Sequence, residues 1–245
     1  MLTPETIAKM LDHSTLQPFL TAQDVRAGCE IALKHNTATV CARPGDMKLV
    51  ARTLRGSDVK ACTVIGFPHG AHRTDVKAFE AERALDDGCE ELDMVINIGL
   101  VKASEFRAAE DDIRAVVDAA HRRGALLKVI LETCYLNEEQ KIAACEISER
   151  AGADFVKTST GYGTAGATIE DVRLMRATVS PRVRVKASGG IRDLDTVLAA
   201  RAAGAARCGV SATEAIMEEA LRRQAMGTLF EAVSPDAFGA PGGGY

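Results

Sequence analysis

One join recurs along this chain and limits its folds more than any other feature: a helix-like segment ends, a glycine follows, and an apolar run begins within about three residues. "DDGCEELDMVI", "RRGALLKVILE", "RAGADFVKTS" and "AAGAARCGVS" are four instances. Glycine suits the left-handed position that closes a helix, and the run behind it reads as a strand. Such runs occupy Leu11–Ser14, Thr37–Ala42, Lys60–Gly66, Glu91–Ile96, Leu126–Glu132, Phe155–Ser159, Val183–Ala187 and Ala206–Gly209. Eight strand-then-helix units without a linker predict a single (β/α)8 TIM barrel over residues 1–233, with an N-terminal helix and a flexible Gly/Pro-rich tail over 234–245.

Bulk properties narrow the class further. With 47% apolar residues in 245, the chain can bury one large core. A net charge of -4 offers no basic footprint for nucleic acid and no polybasic membrane patch. No apolar run approaches the roughly 20 residues of a membrane span, and "MLTPETIAKMLDHSTL" lacks a secretory pattern, so a soluble cytoplasmic protein is expected. The seven cysteines contain no C-x-x-C pair and mostly sit in apolar segments, where they read as reduced core thiols.

Parity within the strands locates the chemistry, because alternate residues of a barrel strand face the helices or the interior. In "LLKVILE" the outward set is Leu127, Val129 and Leu131, which leaves Lys128, Ile130 and Glu132 inward. In "RVRVKAS" Val183 and Val185 go outward, leaving Arg184 and Lys186 inside. Asp93 shares its parity with Glu91 and Val95, and Lys157 with Phe155 and Ser159. The predicted interior is thus unusually charged. Barrel enzymes work at the C-terminal ends of their strands, which makes Asp93, Lys157 and Lys186 the site candidates.

"FVKTSTGYGTAGAT" also contains a literal G-x-G-x-x-G at Gly161, Gly163 and Gly166. A dinucleotide site requires an acid about 20 residues on, at the end of the next strand. That position is Lys186, so a nicotinamide reading is disfavoured. Glycines also follow strand seven (Gly189, Gly190), and "GVSATE" follows strand eight, where Ser211 and Glu214 suggest a capping box. Loops seven and eight with a helix N-terminus form the usual phosphate cradle of such barrels, while tight turns are the plainer use of the same glycines.

Two readings of the lysine pair stand side by side. Inward lysines on adjacent strands, about 4.8 Å apart, disfavour each other's charge and can supply a free amine that attacks a carbonyl. Alternatively, both are interior ion-pair lysines matched by Asp93 and Glu132. A metal-dependent carbonyl chemistry using His13, His69 and His72 is a third route, but none of the three shares the parity of the lysines. A non-catalytic phosphosugar-binding barrel is a fourth.

In order, "LDHSTL", "GFPHG", "LDMVINIG", "LLKVILET", "AGADFVKTSTGYGTAGAT" and "VKASGGIR" resemble the deoxyribose-phosphate aldolase family over nearly the whole chain. The resemblance implies a class I aldolase on a (β/α)8 barrel that reversibly cleaves 2-deoxy-D-ribose 5-phosphate to D-glyceraldehyde 3-phosphate and acetaldehyde. It also implies no cofactor, no metal, no nucleic-acid partner and a homodimer. By resemblance, Lys157 matches the Schiff-base lysine, Lys186 the second lysine and Asp93 the acid/base aspartate. Gly161, Gly189, Gly190, Gly209 and Ser211 fall where the phosphate binds, with Asp12, Cys41 and Thr160 completing the substrate-binding set. Two positions depart from some members: Tyr162 stands where they carry lysine, and Ala212 where they carry a second serine. Several members end in a tyrosine after a flexible run, which implies that Tyr245 passes a proton to the enamine carbon. Plain disorder is the other reading of that tail.

Overall fold

A computed structural model describes residues 2–229; the expected tail, the boundary at 233 and Tyr245 lie outside them. After a short helix α1 (Pro4–Ala8), the strands β1 (Leu11–Thr15), β2 (Thr39–Ala42), β3 (Lys60–Ile65), β4 (Glu91–Val95), β5 (Leu126–Ile130), β6 (Phe155–Lys157), β7 (Arg184–Ser188) and β8 (Ala205–Val210) close a parallel barrel in chain order. Around them run α2 (Ala22–His35), α3 (Met47–Leu54), α4 (Thr74–Asp86), the pair α5 (Ile98–Lys102) and α6 (Phe106–His121), α7 (Glu138–Ala151), α8 (Ile169–Thr178), α9 (Leu194–Ala202) and α10 (Thr213–Ala225).

Local chemistry explains the punctuation. The glycines of the four recurrent joins, Gly88, Gly124, Gly152 and Gly204, all have positive φ, between 71° and 109°. That region costs a residue with a Cβ, so each glycine stops its helix and turns the chain into the following strand. Reciprocal capping by Thr21 with Asp24 and by Asn137 with Gln140 starts α2 and α7. The capping box expected of Ser211 and Glu214 does not form. Ala212 is the N-cap of α10 without a side-chain cap, and Glu214 instead pairs with Lys34 of α2 at 2.6 Å.

Strand parity sorts the core into two parts. Leu127, Val129, Leu131, Val183 and Val185 belong to the large apolar cluster between barrel and helices. Ile130, Phe155 and Val95 are fully buried yet lie outside that cluster, as inward residues should. The outer shell supplies the hydrophobic stabilisation, leaving the interior free to hold charge.

His13 belongs to this outer shell. An ideal Cβ placed on Gly28 of α2 would come within 3.0 Å of the His13 Nε2, and its Nδ1 lies 2.8 Å from the Thr213 Oγ1. Burial pushes its pKa down to about 4. The unfolded chain therefore takes up a proton on His13 before the folded one does, and stability falls with pH across that interval. Urea unfolding is expected to lose up to about 3 kcal/mol between pH 6.5 and 4 from this group. His13→Asn should remove that slope; a slope that persists in the variant belongs to another group.

Candidate active site

Asp93, inward on β4 and fully buried, is the centre of the interior charge. Its Oδ1 accepts from the Lys128 Nζ at 2.7 Å, and its Oδ2 accepts from the Lys157 Nζ at 2.7 Å and the Lys186 Nζ at 2.8 Å. Lys157 and Lys186 are register partners on β6 and β7, so the spacing of neighbouring strands brings their side chains to one level. Beneath them Asp12 pairs with Lys186 at 2.5 Å and with Arg207 of β8 at 2.5 Å, while Glu91 pairs with Lys128 at 2.6 Å and with Arg207 at 3.2 Å. Three carboxylates thus face four cations. Arg184, expected inside, has the right parity but sits at the opposite, N-terminal end, exposed and stacked 4.0 Å over the Phe155 ring.

Burial opposes every one of these charges, and the partners overcome it. Desolvation works to raise the Asp93 pKa, but the ammoniums of Lys128, Lys157 and Lys186 hold it well below the ordinary carboxylate range. Desolvation likewise works against charge on Lys186, yet Asp12 and Asp93 hold it above the usual lysine range. Lys157 touches one carboxylate oxygen, which it shares with Lys186, and its side chain is 4% exposed against 1% for Lys186 and 0% for Lys128. Of the three, Lys157 is the one within reach of a substrate.

Glu132 does not match a lysine as an interior strand residue. It leaves β5 in the left-handed region, with φ 55°, and turns its carboxylate to the β6–α8 loop, accepting from the Thr160 backbone N–H at 3.2 Å and from the Thr160 hydroxyl. Burial raises its pKa, while the hydrogen bonds from Thr160 work to lower it. Thr160 in turn accepts from the Tyr162 N–H at 2.9 Å, which fixes the turn through Gly161.

The glycine motif does not open a helix: α8 begins at Ile169, capped by Thr168. A Cβ on Gly166 would lie 2.2 Å from the Gly189 carbonyl oxygen, so this glycine lets the loops after β6 and β7 touch, and the Ala167 N–H donates across the join to Ser188 and Gly189. Gly161, Gly189 and Gly190 all have φ of 83° to 87°. Gly209, the last residue but one of β8, lies beside them, where a Cβ would come within 2.9 Å of the Ser188 Cβ. Ser211 is exposed on the next loop. The loops after β6, β7 and β8 therefore share one rim of the barrel mouth, next to Lys186.

Across the mouth lies an apolar wall of Leu16, Cys41, Cys62 and Val64, with Phe67 packed on it. Tyr162 spans the gap, its hydroxyl donating to the Leu16 carbonyl at 3.0 Å and its ring edge-on to Phe67 at 5.4 Å. Cys41 is buried in this wall, and Asp12 lies beneath the lysines with both neighbours engaged. The three histidines weighed for metal chemistry do not converge: His13 faces the outer helices, while His69 and His72 are exposed in the β3–α4 loop.

Strand parity already placed Lys128 and Glu91 inside, but their contact with the site depends on distances across the barrel, which no single strand reveals. Arg207 was hidden in the small-residue run "AARCG".

Comparison with known proteins gives one consistent result. The profile of the DeoC/LacD family aldolases matches residues 6–219. The chain is 52% identical over 214 residues to the deoxyribose-phosphate aldolase of Clostridium perfringens, covering 87% of this chain and 95% of that one. It is 52% identical over 216 residues to the enzyme of that name from Thermococcus gammatolerans, covering 87% and 96%. Among solved structures, the tetrameric deoxyribose phosphate aldolase from Aeropyrum pernix superposes with a TM-score of 0.83 at 33% identity, covering 89% of this chain and 92% of that one.

Proposed function

The chain belongs to the DeoC/LacD aldolase family, and on that premise we propose that Lys157 is its Schiff-base amine, that Lys186 and Asp93 carry the protons, and that the loops after β6, β7 and β8 hold the substrate phosphate. Its reaction is the reversible cleavage of 2-deoxy-D-ribose 5-phosphate to D-glyceraldehyde 3-phosphate and acetaldehyde. The observation that carries the residue assignment is the convergence of three ammoniums on the single carboxylate of Asp93, with Lys157 uppermost.

The Lys157 amine adds to the C1 aldehyde of the open-chain sugar and loses water, giving a protonated imine that acts as an electron sink. Losing a proton to react brings the interior to three cations against three carboxylates, apart from the imine itself. Asp93 then accepts the C3 hydroxyl proton through water, the C2–C3 bond breaks, and glyceraldehyde 3-phosphate leaves. The two-carbon enamine is protonated at C2 and hydrolysed to acetaldehyde. On the strength of the resemblance alone, Tyr245 is the proposed donor to that carbon. Asp12 positions Lys186 from below.

Borohydride reduction in the presence of acetaldehyde, followed by peptide mapping, is expected to find a reduced two-carbon adduct on Lys157. Labelling elsewhere, or none, would overturn the assignment. For the phosphate rim, Ser211→Glu places a negative charge at the exit of β8. It is expected to raise KM for the phosphorylated sugar at least about tenfold more than KM for 2-deoxyribose. Equal effects on both sugars would move the phosphate elsewhere.

The assembly we propose is a homodimer; the Aeropyrum pernix relative is described as tetrameric, and light scattering distinguishes the two. Among the described residues no helix is long and apolar enough to cross a membrane.

A further inference from the structure

Two thiols, one of them the expected substrate contact Cys41, stand beside the central carboxylate and enter none of the proposed bond-making or proton-transfer steps. Cys41 on β2 and Cys62 on β3 are register partners on neighbouring strands, and both are buried. The Cys62 Sγ lies 3.4 Å from the Asp93 Oδ1 and 3.5 Å from the Lys128 Nζ. Both sulfurs and an Asp93 oxygen lie within 4.8 Å of one another, the one such group of three possible ligands among the described residues.

We propose that Cys41, Cys62 and Asp93 form an inhibitory site for a single thiophilic dication of the zinc or cadmium class. Two thiolates select such soft ions over magnesium or calcium, and the carboxylate supplies a third ligand. Zinc–sulfur bonds of about 2.3 Å in a tetrahedron set the sulfurs about 3.8 Å apart, so the two sulfurs need to approach by about 1 Å at most. Each sulfur exchanges its proton for a bond to the metal. One dication enters as two protons leave, so the exchange adds no net charge among the ammoniums.

Bound there, the ion ties up a carboxylate oxygen of Asp93, and the oxygen nearest the Cys62 Sγ is the one that accepts from the Lys128 Nζ. This consequence rests on the proposed role of Asp93 in proton transfer, and turnover stops for as long as the ion stays.

The test is titration of the reduced, full-length protein with cadmium chloride. One ion per chain is expected to bind, releasing two protons and producing the ultraviolet charge-transfer band of cadmium thiolate. Turnover should fall in parallel and return with EDTA, while magnesium chloride at the same concentration does neither. Cys62→Ala and the closer isostere Cys62→Ser should each weaken cadmium inhibition at least tenfold relative to their own uninhibited rate and reduce the band. Unchanged cadmium sensitivity in both variants would overturn the site, as would inhibition without the band. A band that forms at full turnover would overturn the inhibition. Should Asp93→Asn keep its activity, the reading of Asp93 fails, whereas the band and the proton count in the parent still report the site.

Discussion

Lys186→Leu is expected to fold but to turn over between about 10² and 10⁴ times more slowly than the parent, the range that a positioned proton carrier supplies. The barrel survives because neither partner is left alone: Asp12 keeps Arg207, and Asp93 keeps Lys128 and Lys157. A destabilisation near the lower end of the roughly 3–5 kcal/mol typical of a broken buried pair follows from that residual pairing. The kinetic loss falls on kcat more than on KM, since Lys186 bonds to carboxylates and makes no hydrogen bond to the glycine loops. Steady-state kinetics on 2-deoxyribose 5-phosphate, with urea unfolding alongside, separate the two effects. A near-normal kcat at neutral pH would remove Lys186 from the chemistry, and a loss confined to stability would make it an interior ion-pair lysine only.

That second outcome is the reading parity left open, and it shows where the sequence was informative. A two-residue alternation is a property of each strand alone, so Leu127, Val129 and Leu131 could be sent outward and Lys128 inward without knowing the fold. The joins were equally local, because Gly88, Gly124, Gly152 and Gly204 answer to their own φ. Pairing across the barrel is not local. That Lys128 shares Asp93 with Lys157, and that Arg207 clamps Asp12 and Glu91, depends on how far the strands are staggered on closure. The same limit explains Glu132. Alternation assigned it inward on an extended strand, but β5 ends at Ile130 and the reversed φ at Glu132 delivers its carboxylate to Thr160. The expected Ser211 and Glu214 cap failed for a related reason. A capping pattern is read from four residues, while α10 begins one residue further on, with Ala212 at its N-cap and Glu214 paired to Lys34 of α2.

Asp93→Asn tests the whole arrangement at once, because it removes the one group that all three ammoniums share. The amide keeps the shape but loses the charge, and its NH2 must face an ammonium, so four cations are left against Asp12 and Glu91. The expected destabilisation is about 3–5 kcal/mol, and at about 2–4 °C per kcal/mol for a chain of this size the melting temperature falls by roughly 10 °C. Turnover falls by at least about 10² through loss of the proton acceptor. The pH dependence identifies the group. Because the folded Asp93 carboxyl titrates well below its ordinary value, its contribution is fully present above about pH 4, where the unfolded carboxyl is ionised, and is lost only as pH falls through the lower folded value. The stability gap between parent and variant should therefore stay flat from pH 7 to about pH 4 and close below it. The His13 decline over the same range is common to both chains and cancels in the difference. Urea unfolding of the two proteins at pH 7, 5 and 4 measures the gap. A gap that shrinks already between pH 7 and 5 would mean that the stabilising charge resides on another group, and the case for Asp93 as the centre of the site would go with it.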